Sequence, residues 1–359
     1  MNRSIEKAMA CPHALSRAEL AELLALDDPA ELFAAACEVK RRYTGKAVAL
    51  RGLIEFGNIC AKDCYYCGIR KSNASVKRYR LGEEDIVRMA KWAYEWKYGS
   101  IVLQSGEMES EENTLFVERV LRRVAEVSGG ELGVTLSAGE QSEVVYRRWL
   151  AAGAHRYLLR IETSNPELYA RLHPADHSFE RRVECLRTLK RLGYQLGSGV
   201  MTGLPGQTLD DLARDVEFFR ELDLDMIGMG PYIPHRETPL GAGMTFTPAD
   251  AAAQLRLGLK MIAVTRLYLH DVNIAAATAL QALDDSGREQ GLMAGANVIM
   301  PNVTDTEYRS NYQLYENKPC LDENASKCRN CLNWRVLSVG EEINWGVRGD
   351  PVHFRKGSV

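Results

Sequence analysis

Three closely spaced cysteines carry the clearest chemistry in this sequence. Cys60, Cys64 and Cys67 directly follow an apolar segment, and Tyr66 precedes the last of them. A CxxxCxxC spacing supplies three thiolates to an iron–sulfur cube and leaves the fourth iron without a protein ligand, whereas structural zinc sites normally have four protein ligands. A chance group of buried or redox-active thiols is the alternative. The apolar segment, Tyr66 and the following Gly68 favour a cluster with an open iron, where chemistry can take place.

A second group of cysteines lies near the end of the sequence. Cys320, Cys328 and Cys331 form a CxxxxxxxCxxC array. We interpret it as a second iron–sulfur site, because no obvious fourth Cys or His lies nearby to complete a zinc site. Zinc and free thiols are the alternatives. The sequence has nine cysteines, which in an intracellular protein indicate metal binding or catalysis rather than disulfides.

Composition limits the classes of function. A chain of 359 residues with 46% hydrophobic residues has ample material for a large core. The formal net charge of -3 gives no reason to expect nucleic acid as a partner. The sequence opens without a basic segment followed by an apolar run, and it has no apolar run of about 18 residues. We therefore expect a cytoplasmic protein that neither spans a membrane nor is secreted and that acts on small molecules.

Short apolar strands alternate with amphipathic helices through most of the sequence. This alternation predicts a parallel sheet with both faces covered, and eight strand–helix units predict a closed (β/α)8 TIM-type barrel. An open barrel of six units is the alternative. The predicted strands are 48–54, 101–103, 132–136, 157–161, 195–202, 226–229, 272–274 and 296–300.

The sequence divides into a barrel and two flanking regions. Residues 1–46 read as an N-terminal helical cover, since Ser16 and Glu19 form a capping-box pattern and a second helix follows at about 30–43. Residues 47–300 form the barrel core. Residues 301–359 are a C-terminal extension that completes the barrel and carries the second cysteine group.

Polar residues accumulate after the predicted strands, where the active site of such a barrel lies. Gln104 and Glu107 belong to a Gln-Ser-Gly-Glu turn after the second strand, and either could bond the ammonium or hydroxyl groups of a nucleotide-like ligand. A simple polar turn is the alternative. Thr135 lies at the end of the third strand, and Arg182 begins a later helix, where it could pair with a carboxylate. Arg181 is the competing choice for that role.

Arg156, Arg160 and Glu162 alternate along the fourth strand, which places them on one face. Charged side chains inside a barrel are costly unless they meet ligands or each other. We therefore expect these three residues to contact a ligand.

The cysteine motif, with its aromatic residue before the last Cys, resembles the signature of the radical S-adenosylmethionine (SAM) enzymes. Longer segments resemble one family among them, the HydE maturases of FeFe hydrogenase, from about residue 15 to 335. These segments are 51–60, 77–80, 102–107, 157–163, 203–208, 295–302 and 312–315, and the trailing cysteine array has the spacing of that family's accessory cluster.

The resemblance implies a full barrel with a long internal cavity, a 4Fe-4S cluster and SAM at the top, and the substrate below. It implies that Cys60, Cys64 and Cys67 hold the cluster and that Cys320, Cys328 and Cys331 hold the second one. The implied cofactor contacts are Tyr66, Gln104, Glu107, Glu162, Arg182 and Tyr312. The implied anion-binding cavity wall comprises Thr135, Arg156, Arg160, Met226, Thr278 and Tyr315. Ala277 departs from the family, which often has Thr-Thr where this sequence has Ala277-Thr278.

The resemblance also implies a reaction and partners. SAM is cleaved reductively to a 5'-deoxyadenosyl radical, which acts on a sulfur-containing iron–cysteine complex with carbonyl and cyanide ligands. The expected partners are the other hydrogenase maturases and an electron donor such as ferredoxin or flavodoxin. Two alternatives are a methylornithine synthase-like enzyme that rearranges an amino acid in the same cavity and a non-catalytic iron–sulfur carrier.

Overall fold

The chain folds around a ring of parallel β-strands, and the computed structural model describes residues 2–322 and 325–357. The strands are β1 (Ala47–Leu50), β2 (Gly52–Gly57), β3 (Ser100–Ser105), β4 (Gly133–Ser137), β5 (Arg156–Leu158), β6 (Gln195–Ser198), β7 (Met201–Thr202), β8 (Met226–Ile227), β9 (Gly230–Pro231), β10 (Asn273–Ile274), β11 (Val298–Ile299) and β12 (Glu342–Ile343).

Helices separate the strands and precede and follow the barrel. They are α1 (Arg3–Ala10), α2 (Arg17–Ala25), α3 (Ala30–Tyr43), α4 (Glu83–Glu95), α5 (Glu111–Ser128), α6 (Glu143–Ala151), α7 (Pro166–Leu172), α8 (Phe179–Arg191), α9 (Leu209–Glu221), α10 (Pro248–Leu269), α11 (Thr278–Leu283), α12 (Gly287–Met293), α13 (Thr306–Arg309), α14 (Ala325–Ser338) and α15 (Val352–Gly357). None of the described helices combines the length and the apolar composition that a membrane span requires.

The ring contains eight strands. Seven of them form one parallel sheet in the order β10-β8-β6-β5-β4-β3-β2. The segment that contains β11 completes it, because Ala275 pairs in parallel with Val298 at one edge and Leu53 pairs in parallel with Asn302 at the other. The predicted (β/α)8 barrel is therefore confirmed. Each strand is buried between the interior and a layer of helices, which explains why the strands read as short apolar runs.

The N-terminal helices pack on the outside of the ring. Ser16 caps α2 with the predicted capping box, in which its hydroxyl accepts from the backbone N–H of Glu19. Leu20 and Leu24 of α2 and Leu32 of α3 are fully buried in the same hydrophobic core as the barrel strands. The region thus shares its core with the barrel, whereas the domain boundaries given above stay predictions.

Most strands differ by a few residues from their predicted bounds, and the predicted strand 195–202 is divided into β6 and β7; two further differences affect the site. The predicted strand 48–54 is divided at Arg51: β1 pairs with β11 and β12, and β2 pairs with β3. The predicted strand 157–161 ends at Leu158. Beyond it, Glu162 has a left-handed φ of 66° and forms only an isolated parallel bridge with Val200.

The C-terminal segment closes the end of the barrel where the strands begin, which we call the lower end. There β12 extends β1 in parallel register, and the Asn273 amide donates to the carbonyl of Gly349 at 2.8 Å. Val347 lies so close to Gly99 that a Cβ added at the glycine would be 2.0 Å from the Val347 carbonyl oxygen. The opposite end, where the strands finish, is the upper end.

Candidate active site

The three cysteines of the CxxxCxxC motif lie at the upper end, on the long connection between β2 and α4. We call residues 58–73 the cysteine loop. The loop has no regular secondary structure, and a single guanidinium organises it: Arg78 donates to the carbonyls of Asn58, Ile69 and Arg70 at 2.7, 2.8 and 2.6 Å. Three carbonyls gathered on one cation fix the start and the end of the loop relative to each other.

Two glycines let other backbone segments approach the cysteine loop closely. A Cβ at Gly106, after β3, would be 2.3 Å from the carbonyl oxygen of Ile59, and a Cβ at Gly68 would be 2.1 Å from that of Gln313. Next to Gly106, the backbone N–H of Glu107 points at the Cys60 sulfur at 3.4 Å. The loop therefore lies in a slot that any larger residue at Gly68 or Gly106 would fill.

A cavity of about 210 Å³ lies below the loop inside the barrel. Cys67 and Tyr66 line it on the loop side. The other predicted site residues that line it are Gln104, Arg160, Glu162, Thr278 and Tyr315. Tyr312 is buried beside the cavity, where its hydroxyl accepts from the Gln104 amide at 3.2 Å. The structure thus brings together these predicted residues, although their roles stay predictions.

Two ion pairs face this cavity. Arg160 and Glu162 are joined at 2.9 Å, and the Arg160 guanidinium also donates to the carbonyl of Val200 at 2.9 Å. On another part of the wall, Lys318 contacts Glu55 in a pair that the sequence had not indicated. Glu162 holds its position with a left-handed backbone, which for a non-glycine residue costs about 1–3 kcal/mol and tends to occur at functional sites.

Glu107 and Arg182 do not line the cavity but belong to a charged quartet beside the cysteine loop, with Lys62 and Glu140. The Nε of Arg182 lies 2.5 Å from a Glu140 oxygen, and Lys62 lies 3.2 Å from Glu107 and 3.3 Å from Glu140. Burial raises the pKa of Glu107. Burial also acts to raise the pKa of Glu140, but Arg182 and Lys62 outweigh it and hold that pKa below its usual value.

Arg182 is the cation that ties the quartet to the barrel wall. Its Nη1 donates to the carbonyl of Arg160 at 2.8 Å. The neighbouring Arg181 is exposed and lies 3.7 Å from Glu109. A carboxylate ligand would reach Arg182 beside its existing partners, so its role as a cofactor contact stays a prediction.

Thr135, Arg156 and Met226 lie toward the lower end and are buried. Arg156 donates to the Gln195 side chain at 2.8 Å and contacts Asp350 of the C-terminal segment. Arg51, which the sequence had not singled out, donates to the Met226 sulfur at 2.7 Å. Within the described part of the chain, Arg51 Nε and Nη2, Arg156 Nη1 and Thr135 Oγ1 have no hydrogen-bond partner.

Comparison with known proteins identifies the family. The model of the radical SAM superfamily matches residues 54–219. The chain is 44% identical over 339 residues to the FeFe hydrogenase maturase subunit HydE of Thermotoga maritima. The alignment covers 93% of this chain and 94% of that protein. The chain is a radical SAM enzyme of the HydE family.

Other radical SAM enzymes share the fold. The chain is 30% identical over 308 residues to the 3-methylornithine synthase of Methanosarcina acetivorans, with 83% of each protein covered. The crystal structure of methylornithine synthase superposes with a TM-score of 0.78 at 24% identity and covers 96% of this chain and 98% of that one. This second likeness concerns the fold alone.

The cysteine loop fits the 4Fe-4S cluster and SAM of a radical SAM enzyme. Cys67 lines the cavity inside the barrel, and the Glu107 amide offers Cys60 the kind of hydrogen bond that cluster sulfurs accept. Desolvation raises the pKa of Cys60, and it raises that of Cys64 to about 12, so iron must displace protons on binding. In the described residues no three His, Cys, Asp or Glu side chains converge as ligands of one metal ion. A cube does not require this, since each thiolate binds a different iron.

The second cysteine group is only partly described. Cys320 and Cys331 line a cavity of about 390 Å³ with Asp322 and Arg335, while the side chain of Cys328 lies outside the described residues. Cys331 is exposed. A radical SAM enzyme needs only one cluster for SAM cleavage, and a second one here stays a prediction.

Several residues that build this radical SAM site were missed from the sequence. Arg51 and Glu55 had a signal, since each is a charge within an otherwise apolar strand, and Lys62 lies inside the cysteine motif itself. Glu140 and Lys318 had no local signal, because only the folded chain brings them to their partners.

Proposed function

We propose that this protein is a maturase of FeFe hydrogenase that uses SAM cleavage to act on a small, sulfur-containing iron–cysteine complex carrying carbonyl and cyanide ligands. The observation that carries this proposal is the 44% identity to a HydE protein along 93% of the chain. The three-cysteine loop and the cavity next to Cys67 would provide the chemistry that such a reaction needs.

The residues of the upper end would hold the cofactors. Cys60, Cys64 and Cys67 would hold the cluster, which when bound supplies the electron that cleaves SAM into methionine and a 5'-deoxyadenosyl radical. The contacts we assign to SAM are Tyr66, Gln104, Glu107, Glu162, Arg182 and Tyr312. The polar residues of the cavity wall would fix the direction in which the reactive carbon meets the substrate.

The substrate would lie deeper in the barrel. Arg160, Thr278 and Tyr315 line the cavity and would contact the anionic ligands of an iron complex. Thr135, Arg156 and Met226 would bind an anion further down, and we add Arg51 to them because its unpaired N–H groups lie beside Met226. Ala277 occupies a cavity-lining position where the family often has a threonine, so one hydroxyl contact is missing.

The proposed setting follows from the family. We expect the protein to act in the cytoplasm with the other maturases, to receive electrons from a ferredoxin or flavodoxin, and to carry a second iron–sulfur cluster at Cys320, Cys328 and Cys331. None of these partners is needed to begin testing the reaction, because SAM cleavage can be followed with a chemical reductant.

The test is complementation combined with product analysis. A host that produces an FeFe hydrogenase and the other maturases, but lacks its own HydE, should regain hydrogenase activity when it expresses this protein. The reconstituted protein should also form 5'-deoxyadenosine from SAM. Restored hydrogenase activity supports the maturase. Formation of 3-methylornithine without complementation would favour the 3-methylornithine synthase relatives, and absence of SAM cleavage would favour an iron–sulfur carrier.

A further inference from the structure

The segment between α13 and Cys320 crosses from the cysteine loop to the cavity wall. We call residues 311–318 the strap. Its ends and its middle are fixed to the upper end: the Asn58 side chain donates to the carbonyl of Asn311 at 2.6 Å, and the backbone N–H of Gly68 donates to the carbonyl of Leu314 at 2.9 Å. The strap carries Tyr312 and Tyr315. It therefore brings ligand-contact candidates to a site whose other parts come from the barrel.

One buried ion pair fastens the strap to the barrel interior. The Lys318 ammonium contacts one oxygen of Glu55 on β2, and Asn302 donates to the other oxygen at 3.0 Å. The side chains of Lys318 and Glu55 are 8% and 2% exposed, and both line the cavity. Because β2 leads directly into the cysteine loop, this pair joins the strap to the element that positions the cluster.

Lys318 also holds Tyr312 directly. Its ammonium donates to the Tyr312 carbonyl at 2.9 Å and lies 5.3 Å from the centre of the Tyr312 ring. The Tyr312 hydroxyl in turn accepts from Gln104, the residue that pairs with Glu55 in the β2–β3 ladder. These contacts form a ring of four residues: Glu55, Lys318, Tyr312 and Gln104. The position of Tyr312 therefore depends on the ion pair.

Stability alone does not account for such a pair. Removing two charges from water costs several kcal/mol per ion, and well-packed apolar residues often replace a buried pair without loss of stability. An ion pair does, however, define a geometry that apolar contacts would not. A second pair on the strap, Arg236 with Glu316, is exposed on the arginine side and should contribute little.

We propose that Glu55 and Lys318 are positioning residues that clasp the strap over the cavity and thereby place Tyr312 and Tyr315 against the cofactor and the substrate. This inference rests on the proposed function in taking Tyr312 as a SAM contact and Tyr315 as a substrate contact. The clasp itself is a property of the chain and can be measured without turnover.

The experiment compares Glu55→Gln, Lys318→Gln, the double variant and the control Arg236→Ala, which loses the exposed pair on the same strap. Hydrogen exchange of peptides covering 311–318 should become at least about tenfold faster in each clasp variant and stay within about twofold of wild type in Arg236→Ala. The KM for SAM should rise about tenfold, with a much smaller change in the rate at saturating SAM. The double variant should be no worse than the more affected single variant, because both substitutions remove the same contact.

Hydrogen exchange of the strap that stays unchanged in both single variants would overturn the clasp. Two further results would do so as well: an equal acceleration of exchange in Arg236→Ala, or effects of the two single substitutions that add up in the double variant. If Lys318→Gln lowers the melting temperature of the whole protein, Lys318→Arg is the variant that tests the clasp. It keeps the charge, so its hydrogen exchange at the strap and its KM for SAM should stay within about twofold of wild type. A wild-type protein that does not cleave SAM would overturn the proposed function, while the exchange measurements would still test the clasp.

Discussion

The two ends of the barrel differ in how completely their buried charged side chains are paired. At the upper end, the charged quartet contains two cations and two anions, and each lies within 4.0 Å of an opposite charge. At the lower end, Arg51 and Arg156 lie near a single acid, Asp350, and three of their N–H groups have no partner among the described residues. The quartet thus pairs all of its charges, whereas the two lower arginines keep nitrogens without a partner.

This difference indicates what each end is built for. A buried donor without a partner costs about 1–3 kcal/mol, so donors left unpaired in one place mark where a ligand is expected to supply the acceptor. Paired charges instead fix the elements that carry them. The quartet fixes the elements beside the cysteine loop before any ligand arrives, and we expect an anion to complete the contacts of the lower arginines.

The largest expected effect on SAM cleavage comes from removing one cysteine of the cluster motif at the upper end. Cys64→Ala should abolish 5'-deoxyadenosine formation, because two thiolates cannot hold the cube in place. Anaerobic reconstitution followed by iron analysis and product analysis checks this. The wild-type protein should give a 4Fe-4S spectrum that changes when SAM is added. Cleavage retained in Cys64→Ala would refute the cluster assignment.

Arg182→Lys tests whether the quartet also serves the cofactor. A lysine cannot keep both the Glu140 contact and a bidentate contact to a carboxylate, so SAM affinity should fall by about 10- to 150-fold and uncoupled cleavage should slow. SAM binding titrations measure the change. Arg181→Lys is the matched control, since Arg181 is the exposed neighbour, and it should bind SAM as the wild type does.

Arg156→Ala tests the lower end. SAM affinity should stay within about twofold of wild type, while conversion of the true substrate and binding of small anions should fall by about tenfold or more. The substitution also leaves Asp350 without its cation, so Arg156→Ala/Asp350→Asn should recover stability without recovering substrate conversion. If Arg156→Ala loses SAM as severely as Arg182→Lys does, the two ends are not separate sites.

The closure of the lower end should depend on pH. His353 of α15 lies between Asp271 and Asp223, and its hydrogen bond to Asp271 is the main cause that raises its pKa from 6.5 to about 9. Because the folded-state pKa is the higher one, protonation stabilises the fold fully below about pH 6.5, and this contribution is lost as the pH rises through 9. His353→Ala should lower the free energy of unfolding by about 1–2 kcal/mol at pH 6 and by much less at pH 10, as denaturant titrations would show. A loss that is equal at both pH values would contradict the ion-pair explanation.

The smallest effect on SAM cleavage is expected outside both ends. Replacing Cys320, Cys328 and Cys331 together by Ala should lower the iron content and leave 5'-deoxyadenosine formation largely intact. Iron analysis and product formation by the same protein sample check this. Complete loss of cleavage in a folded variant would mean that the second site delivers electrons to the first.

The sequence predicted the features that depend on local periodicity. All eight barrel strands and the α2 capping box were found, because apolar alternation and capping residues act over a few positions. The predicted strand 157–161 was too long compared with β5, and no local sequence pattern indicates the left-handed backbone of Glu162. Partners such as Lys318 and Glu55 are 263 positions apart, so only the folded barrel determines that they meet.

The closure of the ring by its first and last strands has a consequence for the order of events during synthesis. Leu53 pairs with Asn302, and Arg156 meets Asp350 near the end of the chain. These contacts join residues that leave the ribosome far apart in time, and contacts of large sequence separation form late. The barrel can therefore close only after residue 302 has left the ribosome, and Arg156 reaches Asp350 later still. We expect metallocluster loading to compete with ring closure in that interval, so the supply of iron and sulfide during expression should determine how much of the protein matures.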